Sequence, residues 1–406
     1  MCGRRGRAYS GRSEMSAIRS SIAEDFSLTR GGPFHRLLLF LDPASDQRQG
    51  VIRRALIATL LTWLPLLILS LVQGVAYGPQ VKIPFLRDFA VNARFLIALP
   101  ILILAESGID EKWRVLVLEF LRSGLVNEAE LPAFECILGK ITRLRDRLFP
   151  ELVMIAIAYS AVFLGKTELL MHGVSNWHTT ETGALSMAGW WFRLVSSVMF
   201  RFLLLRWIWR MLLWTLFLWR VSRINLFLVA THTDMAAGLD FLSGGQKVFS
   251  SIVFAGGAVI AGSVANEIAY QGATLASEKF PMIIYGVFAT SLLVTPLLAV
   301  SPLLLKIKKK AMLEYGALVT EHDQLFEVKW IRNQHPPGEI LMGNPDASSL
   351  ADLGSSFAVV RGMTLVPVTK PTLITLAIAA ALPMIPVVVF ATPTSELIRI
   401  VLKMLA

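Results

Sequence analysis

The chain has 406 residues, of which 54% are hydrophobic, and it carries a formal net charge of +10. Together with a mean hydropathy of +0.59, its long apolar runs exclude an ordinary soluble domain and are typical of an integral membrane protein. The positive charge follows the pattern of membrane loops, so no nucleic-acid partner is expected and membrane lipids are the expected surroundings.

The first 54 residues are predicted to form a cytoplasmic N-terminal segment. Their start, MCGRRGRAYSGRSEM, is rich in arginine, but no apolar segment follows it, so it does not have the pattern of a signal peptide. Met15, followed by SAIRSS, is an alternative start. Residues 1–14 are therefore given no structural role.

Seven apolar stretches are candidates for membrane-spanning helices. They are residues 55–77, 89–106, 151–165, 194–218, 248–270, 282–305 and 371–391. The third stretch is short for the roughly 20 residues that a spanning helix needs, and a re-entrant or half-buried helix is its alternative. The predicted fold is an all-α polytopic membrane protein with about seven transmembrane helices, or six if residues 151–165 do not span. Residues 55–305 would form the main transmembrane domain, and 371–406 the last helix and the C-terminal tail.

Lysine and arginine are distributed unevenly between the two sides of these spans. With the N-terminus in the cytoplasm, the inside segments hold 28 basic residues and the outside segments hold 7. The asymmetry predicts a cytoplasmic N-terminus and an external C-terminus. The run KIKKK, from Lys306 to Lys310, is predicted to mark the inner end of the sixth span.

Two long inside segments have the composition of surface helices. Residues 107–150 alternate apolar and charged side chains at helical spacing, which predicts short amphipathic helices inserted within the transmembrane domain on the cytoplasmic side. In residues 306–370, Pro345 and Asp346 stand where a helix would begin. The two segments are predicted to form a small cytoplasmic cap.

Ionisable side chains inside the spans are candidates for function because charge is costly in hydrocarbon. The candidates, with one neighbouring amide, are Arg94, Glu106, Arg201, Arg206, Arg210, Asn266 and Glu267. Glu267 is predicted to pair with Arg94 or Arg201 in the outer half of the membrane. Four arginines then face two glutamates, so positive charge is left over.

The fourth span contains FRFLLLRWIWRMLLWTLFLWR, residues 200–220, in which the arginines lie at different depths. Arg206 is nearest the middle of the bilayer, and no carboxylate is predicted at its depth. Arg206 and Arg210 are one turn apart and share a helical face, whereas Arg201 points to a nearly opposite side. The shared face is predicted to attract an anion, since guanidinium groups bind phosphate and carboxylate through paired hydrogen bonds.

Trp207 and Trp214 form an aromatic stripe beside that face and are further candidates for solute binding. The alternative is structural. Long arginine side chains such as those of Arg201 and Arg210 can extend to the lipid headgroups, and tryptophans commonly serve as interfacial or packing residues.

Small residues recur at a spacing of four in AGGAVIAGSVANE of the fifth span, where Gly257 precedes Ala261 and Ala258 precedes Gly262. This spacing allows close helix packing within one subunit or between subunits. A homo-oligomer is therefore one of the alternatives.

His232 and Asp234 lie in the loop LVATHTDMAAGLDFLSGGQ, where they could suggest a metal site or acid–base chemistry. The alternative is that Thr233 or Asp234 caps a short helix, which Gly244–Gly245 ends. Because no second histidine stands at ligand spacing, no metal is predicted. No phosphate-binding glycine loop occurs, and no cofactor is expected.

The runs AGWW, LLLRWIWR, FLWRVSRINL and THTDMAAGLDFL resemble a group of bacterial multi-pass inner-membrane proteins without an established activity. DFAVNARFLIALPILILAE and GNPDASSLADLG are similar to the same group, so the likeness covers most of residues 50–406. The group has His-Pro-Asp and Gly-Gly-Leu where this chain has His232-Thr233-Asp234 and Ala237-Gly238-Leu239. The resemblance implies a bacterial inner-membrane location.

The leading functional hypothesis is a transporter or channel for a small anionic solute, with a cavity lined by the fourth span. One alternative is a membrane enzyme that acts on lipid-linked substrates through Glu106, His232 and Asp234. The other is a sensor or scaffold that transports nothing. An enzyme is the less favoured class.

Overall fold

A computed structural model describes residues 26–36, 48–164, 175–180, 182–332 and 334–392. Over these ranges the protein is helical without strands, and two isolated bridges join extended residues. The predicted all-α polytopic membrane fold is confirmed.

Nine long helices account for most of the described residues, and we number them in chain order. They are α1 Arg48–Val72, α2 Phe89–Arg122, α3 Leu131–Arg145, α4 Leu148–Leu164, α5 Met187–Val221, α6 Phe241–Gln271, α7 Leu275–Ile331, α8 Pro345–Gly362 and α9 Lys370–Ala391. Six of these, α1, α2, α5, α6, α7 and α9, are long and apolar enough to cross a membrane.

The bundle has two ends that differ in charge. Asn266 near the end of α6 bonds Asp88 at the start of α2, and α7 begins four residues after α6 ends, so these termini share one end, which we call the far end. Lys306–Lys310 lie some thirty residues further along α7 and therefore at the opposite end, which we call the basic end.

Helix α4 joins the two ends although it has only 17 residues, about 25 Å of helix. At the basic end, Glu151 accepts a hydrogen bond from the backbone N–H of Phe34. Toward the far end, Arg193 in the first turns of α5 donates to the carbonyl of Val162. The third apolar stretch therefore forms a short helix with contacts toward both ends of the bundle, and it is not among the six helices long and apolar enough to cross a membrane.

Several helices run beyond the apolar stretches that predicted them. Helix α2 was expected to end at residue 106, but it continues to Arg122. Gly124, two residues later, has a positive φ of 75°. Helix α7 continues to Ile331, interrupted by a 3-10 turn at Thr295–Val300 that contains Pro296. The end of apolar composition marks the membrane surface, whereas the helix itself ends at a capping residue.

The small residues of α6 contact other helices of the same subunit. A Cβ atom at Gly262 would lie 2.6 Å from the carbonyl oxygen of Phe89 at the start of α2. A Cβ atom at Gly257 would lie 2.9 Å from the carbonyl oxygen of Ala380 in α9. Both distances are too short for a side chain, so these two glycines set the close packing of α6 between α2 and α9.

Gly262→Ala should destabilise the protein by about 1–3 kcal/mol because the added methyl group overpacks a contact with backbone. The measurement is the unfolding temperature in detergent. Gly286→Ala is the matched control, because its Cβ would meet nothing closer than 4.0 Å. Equal unfolding temperatures for the two variants would show that α6 does not pack as described.

Candidate functional site

Four charged side chains from three helices converge near the basic end. Arg210 Nη1 donates to Glu106 Oε1 at 2.9 Å, and Arg206 Nη1 lies 3.7 Å from the same oxygen. Arg54 Nη1 lies 3.8 Å from Glu106 Oε2. We call the three arginines around Glu106 the arginine cluster. The prediction that no carboxylate lies at the depth of Arg206 is wrong, because α2 extends well past residue 106 and places Glu106 inside the bundle.

The arginine cluster is sealed and electrostatically unbalanced. Arg206 is 7% exposed, Arg210 3% and Glu106 7%. Glu151 of α4 is a second electrostatic partner of Arg206 and Arg210. Among the described residues, two carboxylates thus face three guanidinium groups, which is an excess of positive charge.

Aromatic rings complete the surroundings of the two α5 arginines. The Arg206 guanidinium lies 4.8 Å from the ring centroid of Phe34, and that of Arg210 lies 4.8 Å from the ring centroid of Trp207. Trp207 Nε1 donates to the carbonyl of Leu102, which fixes the indole between α2 and α5. A desolvated cation over an aromatic face gains up to about 2 kcal/mol.

Trp214 lies elsewhere, in the aromatic core. Its ring centroid lies 5.9 Å from that of Trp113 and 5.1 Å from that of Phe217. It is completely buried, so it packs helices α2 and α5 together and does not border the arginine cluster.

Residues 26–36, which we call the cover segment, lie over the arginine cluster. Asp110, one turn after Glu106 on α2, holds the start of the segment. Its Oδ1 accepts from Ser27 Oγ at 2.7 Å and from the backbone N–H groups of Leu28 and Thr29 at 3.0 and 3.1 Å. The Thr29 carbonyl oxygen lies 3.5 Å from Arg210 Nη2, so the segment contacts the cluster directly.

Two more carboxylates hold the rest of the cover segment. Asp146 accepts from the backbone N–H of Gly32 at 2.9 Å, and Glu151 accepts from that of Phe34 at 2.7 Å. Gly32 has a φ of 87°, and a Cβ there would lie 2.7 Å from Glu151 Oε1. The glycine is therefore required both by its backbone conformation and by the approach of the carboxylate.

Asn266, one of the candidates from the sequence, lies at the far end, away from the arginine cluster. Asn266 Nδ2 donates to Asp88 at 2.9 Å, and its Oδ1 accepts from the backbone N–H of Phe89. Asp88 also caps α2 and accepts from Trp177 Nε1 at 2.9 Å, and His178 Nε2 is 3.6 Å away. This buried network ties the loop of residues 175–180 to α2 and α6.

Glu267 lies on α6 near Glu278 of α7, whose charge acts on it. The Arg94 guanidinium lies 5.6 Å from the ring centroid of Phe200. The pairing of Glu267 with Arg94 or Arg201 stays a prediction.

The loop of His232 and Asp234 is stabilised by its own backbone. Asp234 accepts from the backbone N–H groups of Ala236, Gly238 and Asp240 at 2.9 to 3.1 Å, and His232 Nδ1 lies 2.8 Å from it. Burial raises the pKa of Asp234, but these hydrogen bonds outweigh burial and lower the pKa.

This loop also contains unusual backbone conformations. Met235 and Ala237 have positive φ values of 54° and 56° without being glycine. The Asp234 hydrogen bonds hold the loop in this conformation. Among the described residues, no three metal-ligand side chains cluster here or elsewhere.

The cover segment and Asp110 were absent from the sequence-based candidates. Spacing was the signal that could have identified Asp110, since it follows Glu106 by four residues and so shares its helical face. Arg54 was assigned to the cytoplasmic N-terminal segment because it precedes the first apolar stretch. In the structure it lies within α1, which begins at Arg48.

Comparison of the chain with protein-family models, with curated proteins and with solved structures found no match. The family resemblance suggested by the sequence motifs therefore stays a prediction, and geometry is the basis for inferring function.

Glu106→Gln should destabilise the protein by about 3–5 kcal/mol, because it leaves three buried guanidinium groups without their shared carboxylate. The measurement is the unfolding temperature in detergent. Glu111→Gln, an exposed position on the same helix, is the control and should change little.

A second change separates charge from packing. In the Glu106→Gln background, Arg210→Gln should restore part of the lost stability by removing one unpaired cation. If Glu106→Gln is as stable as Glu111→Gln, the carboxylate does not hold the arginine cluster.

Proposed function

We propose that this multi-span membrane protein binds a small anion at the arginine cluster and carries it across the membrane. The observation that carries the proposal is the convergence of three guanidinium groups on one carboxylate inside the bundle. Buried charge is normally paired, so an excess of cations favours an anionic ligand.

The chemistry of the cluster favours an oxyanion such as a carboxylate or a phosphate. Guanidinium groups match the geometry of two oxygens and bind them through parallel hydrogen bonds. Arg54 Nε is buried without a hydrogen-bond partner among the described residues, so it has a donor to offer. An arriving anion would compete with Glu106 for the same donors.

Burial of the cluster favours a carrier over an open pore. With Arg206 and Arg210 almost fully buried, the described state is closed around them. A carrier passes through such a state, whereas a conducting pore must be lined by water. The cover segment is the element that would have to move, because it lies against the arginines. It is held there by hydrogen bonds to three carboxylates and by the burial of Phe26 and Leu28 in the core.

Other functions receive less support. An enzyme built on Glu106, His232 and Asp234 would need these groups together, but Glu106 bonds the arginines while His232 and Asp234 bond each other. A scaffold would use the arginine cluster only to hold the cover segment. It would not need the excess positive charge.

The proposed location is a bacterial inner membrane with the basic end in the cytoplasm. The distribution of 28 and 7 basic residues between the two sides supports this orientation. The cover segment would then close the cluster from the cytoplasmic side.

The test is binding and flux of radiolabelled phosphate, sulfate and succinate by the purified protein, in equilibrium dialysis and in liposomes. At least one anion should bind and be taken up saturably. Arg206→Gln should reduce both by at least about tenfold, the effect of losing about 1.4 kcal/mol. Arg206→Lys should restore part of the affinity by returning the charge without the paired donors.

Arg223→Gln is the matched control, since Arg223 is exposed just beyond the end of α5. Failure of the native protein to bind any of the three anions would contradict the proposal. Binding without flux would assign the cluster to a sensor that transports nothing.

A further inference from the structure

The bundle also contains a cavity, which lies on the side of the Trp207 indole away from Arg210. Helices α5, α6 and α7 enclose an apolar cavity of about 400 Å³, within the usual range for ligand sites. Leu102, Trp207 and Leu293 belong to its buried floor. Ile208, Leu212, Phe288 and Leu292 are largely exposed, so the cavity opens on the outer surface of the bundle, where lipid lies.

The polar side chains that line this cavity are already satisfied. Thr215 Oγ1 donates to the carbonyl of Met211, the Tyr285 hydroxyl to that of Val253, and Thr295 Oγ1 to that of Ser291. These three groups therefore have no need of a polar ligand. A cavity without polar partners does not hold ordered water, so hydrocarbon is its natural occupant.

Positive charge lies further along α7, beyond the cavity and toward the basic end. Pro296 lines the cavity, and α7 then continues toward the exposed side chains of Lys306 and Lys309. The interval is about 15–20 Å along the helix axis, similar to the thickness of one leaflet of hydrocarbon. The cavity thus lies at acyl-chain depth, and the lysines lie near headgroup depth.

We propose that this cavity binds one acyl chain of an anionic phospholipid, whose phosphate contacts Lys306 and Lys309. The apolar walls select hydrocarbon, and the lysines select negative charge over a zwitterionic headgroup. The site is separate from the arginine cluster, because the Trp207 indole lies between them and contacts Arg210 on its cluster side.

The test is native mass spectrometry of the delipidated full chain titrated with phosphatidylglycerol or phosphatidylcholine. The native protein should retain one phosphatidylglycerol with higher affinity than phosphatidylcholine. Leu212→Trp, which fills the mouth of the cavity, should weaken retention of both lipids by at least about tenfold. Ile284→Trp is the control, since Ile284 is an equally exposed apolar residue on α7 that does not line the cavity.

A second pair of variants tests the headgroup contact. Lys306→Gln with Lys309→Gln should weaken phosphatidylglycerol binding by about 30-fold and leave phosphatidylcholine binding unchanged. Lys279→Gln at the far end should change neither. Equal retention by native protein and Leu212→Trp would overturn the acyl-chain site. Unchanged headgroup preference in the double lysine variant would overturn the assignment of the phosphate.

Discussion

The ion pairs of Glu106 with the arginines of α5 are the interaction on which the basic half of the bundle depends. In hydrocarbon, a lone guanidinium group is costly, and a partner carboxylate must be supplied by a neighbouring helix. Because Arg206 and Arg210 share one face of α5, a single glutamate on α2 reaches both. The pairing therefore fixes the relative depth and rotation of these two helices, and Arg54 adds α1 to the same contact.

Carboxylates at both ends of the bundle hold non-helical segments in place through hydrogen bonds. At the basic end, Asp110, Asp146 and Glu151 accept backbone N–H groups of the cover segment. At the far end, Asp88 binds Trp177 and Asn266 and so attaches the loop of residues 175–180 to α2 and α6. Irregular backbone near a membrane needs such partners, because lipid offers none. At the basic end, the segment so held lies against an excess of positive charge among the described residues, and we infer function there for that reason.

The sequence predicted the helical membrane fold and the six helices that are long and apolar enough to span, because long apolar stretches have few alternatives. The seventh predicted stretch forms the 17-residue helix α4, which is too short to be counted with them. It also identified Arg206 and Arg210 as neighbours on one face. It did not place Glu106 opposite them, since composition locates the membrane boundary but not the end of the helix. The cover segment was beyond prediction for a different reason: its contacts with α2 and α4 join residues about 80 to 120 positions apart, and only the packed bundle brings them together.

Hydrogen exchange of residues 26–36 in the native protein tests the central claim most directly. If the backbone N–H groups of Leu28, Thr29, Gly32 and Phe34 are held by carboxylates over the arginine cluster, this segment should exchange slowly, like the spans beneath it. Asp110→Asn should raise its exchange rate without changing that of α9. Exchange in the native protein as fast as in the exposed residues 334–343 would show that the cover segment does not close the cluster, and would contradict the account.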